Sequence, residues 1–479
     1  MTKSYLWKLG VAGIVEATQS GARSATDIVE AAIERMDQVN PALNAVVMDL
    51  SDQARQRAAD LDRARARGAA LGPLHGVPIT IKVNVDQAGW ATTNGVTALE
   101  NLVAASDAPV VRNLQNAGAV VIGRTNTPEF SFRAETDNEL HGRTRNPWGD
   151  HISPGGSSGG AGAAVMAGIG ALGHGNDIGG SLRFPAAANG AVTVKPGLGR
   201  VPAWNPSQSA ERGLLAQSMS VQGVLARSAQ DLDLAMPALI APDVRDPFHV
   251  PLGYRGATDP PKRVALCKDT PGFTTHPEVL AALEAAADAL SDAGYDVEQT
   301  APPLLQETAM AGYRALLGEV KAMMGPDIET YGSDTLQQIF AEYHEQFSPF
   351  EGVELLKMMA QRSHYAREWA LFLQEYPLVL CPFMPQPFFT PGRDTEGADG
   401  VREVLGSALW SYSMNYVGLP AGCLPTRLAQ SEQGPRPINV QIIGQRWRED
   451  KIVEAMIAIE ARLGTLAPEL WAQMDGPDD

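Results

Sequence analysis

The chain has 479 residues, of which 44% are hydrophobic, so it can bury a large core in one α/β domain or in two or three smaller ones. Its 38 basic and 55 acidic residues give a net charge of −17, and no dense run of lysine and arginine interrupts this acidic balance. Binding to nucleic acid or to anionic membranes is therefore not expected.

The three cysteines, Cys267, Cys381 and Cys423, are far apart in sequence, odd in number and without the close spacing of a metal site. They predict neither a disulfide framework nor bound zinc, and the sequence suggests no cofactor or other metal. The N-terminus lacks an apolar core of signal-peptide length, and no run of about 20 apolar residues follows. We therefore expect a soluble cytoplasmic protein without a membrane span.

The first predicted elements are two helices. Ser24 lies three residues before Asp27, and apolar side chains recur at helical spacing as far as Met36. This pattern predicts an amphipathic helix that stops before Pro41. A helix rich in charged residues and alanine is expected around 52–68.

Strands then alternate with helices. The predicted order is the strand VPITIKV at 77–83, the helix DAPVVRNLQNAG at 107–118 and the strand GAVVIGRTN at 118–126. The same order recurs in the strand RVALC at 263–267, the helix HPEVLAALEAAADALSDAG at 276–294 and the strand YDVEQT at 295–300. This alternation predicts α/β layering.

The region from 303 to 375 reads as mostly helical and carries many methionine and aromatic residues. Such stripes are typical of core, and they also form the walls of adaptable apolar pockets. The strands YPLVLCPFMP at 376–385 and RPINVQIIG at 436–444 follow, before a last helix at 448–464. Without a repeat or a low-complexity linker, one large domain with a helical insertion is the simplest organisation.

The segment GHGNDIGGSLRFPAAANG, at 173–190, places Ser181 behind two glycines and is too glycine-rich for an ordinary helix or strand. It indicates either a surface loop or a backbone that approaches a ligand closely. A nucleophilic serine needs a base, most often a histidine held by a carboxylate. His151 and His174 lie nearest in sequence, but neither belongs to a motif that would direct it toward the serine, and we interpret each as a polar surface or loop residue.

Two other motif matches lack their structural context. The sequence SPGGSSGGAGAA matches G-x-S-x-G at Ser157 and again at Ser158, but the polar, proline-containing segment before it cannot be the strand that a nucleophile elbow requires. The sequence GIGALG at 168–173 matches a dinucleotide-binding pattern, but the residues after it cannot open the required helix.

Lys82 is the remaining candidate base. It ends an apolar run that is typical of an interior strand, where burial of an unpaired charged side chain is unfavourable and therefore suggests a specific role. On this segment alone, a strand-end lysine that extends to solvent is the competing interpretation.

Taken together, several segments resemble the amidase signature family in order and spacing. They are PLHGVPITIKVNV, GRTNTPEFSF, RNPWGDHISPGGSSGGAGAAVMAG, GHGNDIGGSLRFPAAANG, VKPGLGRVP, VQGVLARSAQDLDLAM, NYVGLPAGCLPT and PINVQIIG. The 24 residues from Ser157 to Ser181 also equal that family's spacing between its bridging and nucleophilic serines. The resemblance covers nearly the whole chain.

The resemblance implies a catalytic triad of Ser181 as nucleophile, Ser157 as a bridging serine in a cis peptide, and Lys82 as base. It further implies an oxyanion hole formed by the backbone N–H groups of Ile178, Gly179, Gly180 and Ser181. Glycines at 179 and 180 suit this role, because they let consecutive amides converge on one point. The chemistry requires a neutral Lys82, so burial must lower its pKa.

The chain departs from the family at three positions. The family more often has threonine at the position of Asn176, aspartate at the position of Val83, and cysteine or another small residue at the position of Asn189. An asparagine at 176 can still hydrogen-bond the turn. The sequence GND at 175–177 resembles the cyclic nylon-oligomer hydrolases of the family, but this stretch is too short to assign a substrate.

The resemblance implies one α/β amidase domain over 1–479, with a central mixed β-sheet covered by helices on both faces. Within this domain, the sequence pattern predicts N-terminal helices at 1–70, a catalytic core that carries the motifs at 71–230, and a mostly helical insertion at 303–375 that lines the substrate pocket.

The implied function is hydrolysis of the C–N bond of a small carboxylic amide through a serine acyl-enzyme, extending to carbamates or to cyclic and oligomeric amides. The expected partner is the small-molecule substrate, and a homodimer is left open. The alternatives are the glutamine-hydrolysing subunit of a tRNA-dependent amidotransferase and a non-catalytic binding protein, although every triad position is present.

Overall fold

The computed structural model describes residues 3–476. Eleven strands form one sheet within this part of the chain. They are β1 (Val46–Asp49), β2 (Pro78–Lys82), β3 (Val120–Thr125), β4 (Leu172–Asp177), β5 (Val192–Lys195), β6 (Val221–Ala226), β7 (Arg263–Leu266), β8 (Asp296–Gln299), β9 (Leu378–Pro382), β10 (Ala421–Ala429) and β11 (Arg436–Gly444).

The α-helices in the first half of the chain are α1 (Val11–Ser20), α2 (Ala25–Leu43), α3 (Ser51–Ala66), α4 (Pro109–Asn116), α5 (Gly159–Met166), α6 (Arg183–Asn189), α7 (Leu214–Met219) and α8 (Ala229–Leu239). Those in the second half are α9 (Pro277–Asp292), α10 (Leu305–Tyr331), α11 (Asp334–Phe347), α12 (Gly352–Glu375), α13 (Gly397–Val401), α14 (Leu409–Val417), α15 (Glu449–Leu463) and α16 (Ala467–Asp475). Short 3₁₀ helices cover Lys3–Lys8, Thr97–Leu99, Glu129–Ser131 and Arg393–Thr395, and a π-helical turn covers Arg402–Gly406.

The sheet is mixed, with the strand order β1-β3-β2-β4-β6-β5-β10-β11-β9-β7-β8. Strand β2 pairs in parallel with β3 and β4, and β7 pairs in parallel with β8 and β9. The strands from β4 to β9 along the sheet are joined by antiparallel pairs. Strand β2, which ends in Lys82, therefore lies inside the sheet.

Helices cover both faces of this sheet, because alternate residues of its strands enter different hydrophobic clusters. In β10, Leu424 belongs to a cluster that contains residues of α8, α9 and α15. Its neighbour Cys423 belongs to a cluster that contains residues of α5, α6 and α10. This two-residue alternation confirms the predicted layered α/β fold.

The predicted helices and strands named from sequence are present, with shifts at their ends. Ser24 caps α2 by accepting a hydrogen bond from the Asp27 N–H at 2.9 Å, as its spacing predicted. The prediction that this helix stops before Pro41 was wrong, because α2 continues to Leu43. A proline in the last turn removes only one helical hydrogen bond, and the turn closes when the N–H of Asn44 donates to the carbonyl of Asn40 at 2.8 Å.

The interpretation of 173–190 as neither helix nor strand was also wrong. Residues 172–177 form β4, paired with β6, and residues 183–189 form α6, so that only the short segment 178–182 between them lies outside regular structure. In β4, Gly175 lies opposite Gly223 of β6. A Cβ at Gly175 would come within 2.6 Å of Ser158 Oγ, so this glycine is needed for close packing inside the strand.

The region 303–375 contains the three helices α10, α11 and α12. Buried residues of α10 and α11 contribute to two clusters on the face of the sheet that carries α5 and α6. The three cysteines are free thiols. Among residues 3–476, no helix is both long and apolar enough to cross a membrane.

Candidate active site

A cavity of about 260 Å³ opens where the glycine-rich segments meet the helices α10 and α11. One end carries polar residues, including Asn84, Ser157, Asn176 and Ser181. The rest of its wall includes Phe130, Phe132, Leu316, Leu317, Val320, Met324, Leu405 and Tyr412. The cavity therefore brings a hydroxyl-rich end together with an apolar, partly aromatic compartment.

Strand β2 delivers Lys82 to the polar end of this cavity. Ile79 and Ile81 pack in the cluster beneath one face of the sheet, so the alternate residues Thr80 and Lys82 face the other side. Lys82 is fully buried. It does not extend to solvent, and the competing interpretation of a strand-end surface lysine was wrong.

The Lys82 amine lies within hydrogen-bond distance of three oxygens. Its Nζ is 2.7 Å from Ser157 Oγ, 3.1 Å from Ser158 Oγ and 2.9 Å from Asn176 Oδ1. The hydroxyl of Ser158 donates to the backbone carbonyl of Asn176 at 3.3 Å, so the Ser158 oxygen is free to accept. A neutral amine can donate its two N–H groups to Ser158 and Asn176, which leaves its lone pair for the proton of Ser157.

A reciprocal pair of amides holds Asn176 in this orientation. Its Nδ2 donates to Asn84 Oδ1 at 3.0 Å, while Asn84 Nδ2 donates to Asn176 Oδ1 at 3.2 Å and to Ser131 Oγ at 2.9 Å. The Asn176 oxygen therefore faces Lys82. This contact differs from the predicted turn hydrogen bond, because the side chain bonds the lysine and a second asparagine.

Burial lowers the pKa of Lys82 well below its usual value of 10.5, and the nearby Asp177 carboxylate offsets this effect only in part. The nearby side chain of His174 adds no charge, because burial lowers the pKa of this histidine to about 3 against the effect of its bond to Gln222. The uncharged form of Lys82 is thereby favoured, as a base requires.

The two candidate serines lie on adjoining loops. The peptide bond between Gly156 and Ser157 is cis. The backbone N–H of Ser158 donates to the carbonyl of Ser181 at 3.2 Å, which joins the loops directly. Both hydroxyl-bearing side chains line the cavity. In the described structure, no hydrogen bond links the Ser157 and Ser181 hydroxyls, a contact that in unliganded enzymes often tightens only when substrate binds.

The loop before Ser181 presents backbone N–H groups beside the cavity. Gly180 has a φ of +133°, and a Cβ at Gly179 would come within 2.6 Å of the Tyr412 ring, so both positions need glycine. The N–H of Gly180 donates to Asp177 Oδ1 at 2.8 Å and is used within the loop. In the described part of the chain, nothing accepts from the N–H groups of Ile178, Gly179 and Ser181.

Asp177 and Arg183 form a fully buried ion pair behind this loop. Arg183 Nη2 and Nε each lie 3.0 Å from a different oxygen of the Asp177 carboxylate. Burial alone would raise the pKa of Asp177, but the guanidinium of Arg183 outweighs this effect and the pKa falls to about 2. The ionised carboxylate accepts from Gly180 and also from the N–H of Leu182 at 3.2 Å, so it fixes the loop on both sides of Ser181.

Sequence reasoning did not assign roles to Asn84, Ser158, Asp177, Arg183 or Tyr412. Two of these residues flank Ser181 in the same segment, and Ser158 follows Ser157, so proximity to the motifs was the available signal. Asn84 and Tyr412 join the site only through the fold.

The two histidines are placed away from the candidate nucleophile. The interpretation of His174 as a surface or loop residue was wrong, because it is buried in β4, where its Nε2 lies 3.0 Å from Gln222 Oε1. His151 Nε2 lies 2.9 Å from the carbonyl of Pro435. Neither residue lines the cavity. Among residues 3–476, no three His, Cys, Asp or Glu side chains are grouped to hold a metal ion.

The chain is similar to known proteins over most of its length. Residues 27–453 match the family model described as Amidase. An indoleacetamide hydrolase of Bradyrhizobium diazoefficiens is 45% identical over 475 residues, which cover 99% of this chain and 90% of that protein. One subunit of the glutamyl-tRNA(Gln) amidotransferase of Deinococcus radiodurans is 31% identical over 479 residues, which cover 94% of this chain and 96% of that protein.

Solved structures share the fold. A structure of 6-aminohexanoate cyclic dimer hydrolase complexed with substrate superposes with a TM-score of 0.82 at 28% identity, covering 97% of this chain and 99% of that one.

Proposed function

This chain belongs to the amidase signature family, and from that premise we propose that it hydrolyses a primary arylacetamide to the arylacetic acid and ammonia through an acyl-enzyme on Ser181. The observation that carries the proposal is the 2.7 Å contact between Lys82 and Ser157 at the polar end of an aromatic-walled cavity. The indoleacetamide hydrolase at 45% identity supports the choice of substrate class.

The size of the cavity supports an aromatic acyl group. A cavity of about 150 Å³ lined by apolar side chains is enough to hold one benzene molecule. The cavity here has about 260 Å³, which suits a two-ring aromatic group on a short acetamide. Side chains such as Phe132, Leu316 and Val320 would bury the ring faces, while the carboxamide lies toward Ser181.

The proposed reaction begins with transfer of the Ser181 proton to Ser157 while the proton of Ser157 passes to Lys82. Ser181 Oγ then attacks the amide carbon. The carbonyl oxygen becomes an oxyanion, which accepts hydrogen bonds from the free N–H groups of Ile178, Gly179 and Ser181. Gly180, also implied by the family resemblance, acts indirectly because its N–H holds Asp177. The proton returns through Ser157 to the amide nitrogen, ammonia leaves, and water hydrolyses the acyl-enzyme.

A glutamine-hydrolysing component of a tRNA-dependent amidotransferase remains the second candidate, since one amidotransferase component is 31% identical to this chain. A glutaminase needs a cationic group for the α-carboxylate of its substrate. Arg133 lines the cavity but is paired with Asp394 through two bonds of 2.9 and 2.8 Å. Arg212 also lines the cavity, with the Glu319 carboxylate as a nearby opposite charge. This second cationic side chain is the specific observation in favour of the alternative.

The purified protein alone should hydrolyse indole-3-acetamide and phenylacetamide with a much higher kcat/KM than glutamine. The physical reason is that an apolar wall gains from burying an aromatic ring and leaves the charged groups of glutamine desolvated. Product acid is measured by chromatography and ammonia by a coupled assay. Glutaminase activity that exceeds arylacetamide hydrolysis would reverse the assignment.

Ser157→Ala should impair amide hydrolysis much more than ester hydrolysis. An amide expels its nitrogen only after protonation, whereas a nitrophenyl ester releases a stable anion. Acid–base assistance is worth about 10²- to 10⁴-fold, and only the amide needs all of it. The measurement compares kcat/KM for an arylacetamide and the nitrophenyl ester of the same acid, with circular dichroism as the folding control. Equal losses on both substrates would rule out the proton-relay role.

A further inference from the structure

Tyr343 carries a buried hydroxyl without a partner in the wall of the cavity. The residue lies in α11, is 1% exposed and lines the cavity. Its hydroxyl forms no hydrogen bond with any of the described residues. Neighbouring tyrosines differ, because the hydroxyl of Tyr313 donates to the carbonyl of Leu405 and that of Tyr416 to the carbonyl of Met358. Buried polar groups are nearly always paired, so this exception indicates a missing partner.

The surroundings of Tyr343 do not supply that partner. On one side the ring packs against Phe132, with 5.5 Å between the centroids. Arg133 and Asp394 lie nearby, but two hydrogen bonds already join their side chains to each other. A bound ligand is the remaining source of a hydrogen bond.

The charges around Tyr343 favour a ligand that donates. Burial raises the pKa of Tyr343 well above 10, with a further contribution from the Asp394 carboxylate, so the hydroxyl keeps its proton. The Asp394 carboxylate acts on Tyr343 more strongly than the opposing Arg133 guanidinium, and it attracts the positive end of this O–H group. The lone pairs of the oxygen are then left for a donor that approaches from the cavity.

On the basis of the proposed function, we infer that Tyr343 determines specificity by accepting a hydrogen bond from a ring N–H of the acyl group. The preferred substrates are arylacetamides whose ring carries an N–H donor remote from the carboxamide, such as an indole. With the carboxamide at Ser181, the ring lies among apolar side chains, and its N–H would otherwise be buried without a partner. The Tyr343 oxygen gives the ring N–H an acceptor, and the ring N–H gives the Tyr343 oxygen a donor.

The test uses two substrates that differ by one group. Indole-3-acetamide carries the N–H, and 1-benzothiophene-3-acetamide has sulfur in its place. We expect the wild-type enzyme to favour the indole by about tenfold in kcat/KM, the usual size of one added hydrogen bond. Tyr343→Phe should reduce this preference to near unity by slowing the indole substrate, while the benzothiophene substrate is little changed.

Tyr313→Phe is the matched control, since it removes a hydroxyl that already bonds the protein and should leave the substrate preference at its wild-type value. In calorimetric binding to Ser181→Ala, the further change Tyr343→Phe should raise the Kd of indole-3-acetamide by about tenfold and leave the Kd of the benzothiophene amide little changed. Equal losses on both substrates would make Tyr343 merely structural and overturn the inference.

A wild-type enzyme without preference for the N–H would also overturn the inference, whether or not Tyr343→Phe folds. A wild-type enzyme that hydrolyses neither arylacetamide would instead refute the proposed function, and with it the basis of this inference.

Discussion

Ser181→Ala should abolish amide hydrolysis, with a fall in kcat of roughly 10⁶-fold, the size of the loss when a serine protease loses its nucleophile. The expected loss is large because Lys82, Ser157 and the loop N–H groups all act through the Ser181 oxygen in the proposed mechanism. Without that oxygen no acyl-enzyme can form, and the other groups have no reaction to assist. The measurement is kcat for an arylacetamide, with product acid quantified by chromatography.

Ser413→Ala is a suitable control for this experiment. Its hydroxyl is also buried, but it bonds only the backbone carbonyls of Leu305 and Leu409, so the variant should keep most of the activity. A second measurement traps the acyl-enzyme with an activated ester and locates the label by mass spectrometry. Substantial turnover by Ser181→Ala, or a label on another residue, would show that the nucleophile is misassigned.

The parts of the site that the sequence predicted are those carried by short contiguous motifs. The apolar run before Lys82 predicted an interior strand, and the glycines before Ser181 indicated either a surface loop or a backbone that approaches a ligand closely. Both predictions depend on local patterns, namely strand composition and the space that glycine leaves. The burial of Lys82 then follows from the position of β2 between β3 and β4.

Contacts between distant segments could not be predicted in this way. Asn84 and Asn176 are 92 residues apart, yet their amides pair beside Lys82. Strand β4 was missed for a related reason, because Gly175 lowers the strand propensity of its own segment and is compensated by the Ser158 side chain packed against it. Such compensation depends on the tertiary fold, and a local pattern does not contain it.

Substrate selection depends on the same kind of long-range arrangement. The helices α10 and α11 bring Leu316 and Tyr343 to a cavity whose reactive end comes from residues 84 to 181. The methionine and aromatic stripes of 303–375 were consistent with a core or with a pocket wall. Residues of this region lie both in the hydrophobic clusters and in the wall of the cavity. We propose, in agreement with the domain organisation predicted from the sequence pattern, that this region selects the acyl group while the motif-bearing core supplies the chemistry.

Lys82→Met should lower kcat for amide hydrolysis by roughly 10⁴-fold, the upper range for removal of an acid–base group. Methionine fills a similar volume without a lone pair, so Ser157 keeps its place but loses the acceptor for its proton. In the wild type, activity should fall as the pH is lowered, because protonation of Lys82 removes the base.

The same substitution should alter stability in a defined direction. Burial lowers the pKa of folded Lys82, so at neutral pH the unfolded chain binds one more proton at this residue. The free energy of unfolding of the wild type should therefore rise with pH, up to the unfolded pKa near 10.5, by at most about 1.4 kcal/mol per pH unit from this group. Lys82→Met lacks this contribution and should have the higher Tm at neutral pH.

Lys195→Met separates the effect of a buried amine from the effect of a base. Lys195 is also fully buried, and burial, aided by Arg183, lowers its pKa to about 7, but its Nζ donates to the backbone carbonyl of Pro196 at 3.0 Å rather than to a serine of the site. This variant should keep most of the amidase activity and also lose part of the dependence of stability on pH. The measurements are kcat against pH and thermal unfolding against pH for the wild type and both variants. If Lys195→Met lost as much activity as Lys82→Met, or if Lys82→Met kept the acid-side fall in its residual activity, Lys82 could not be the base.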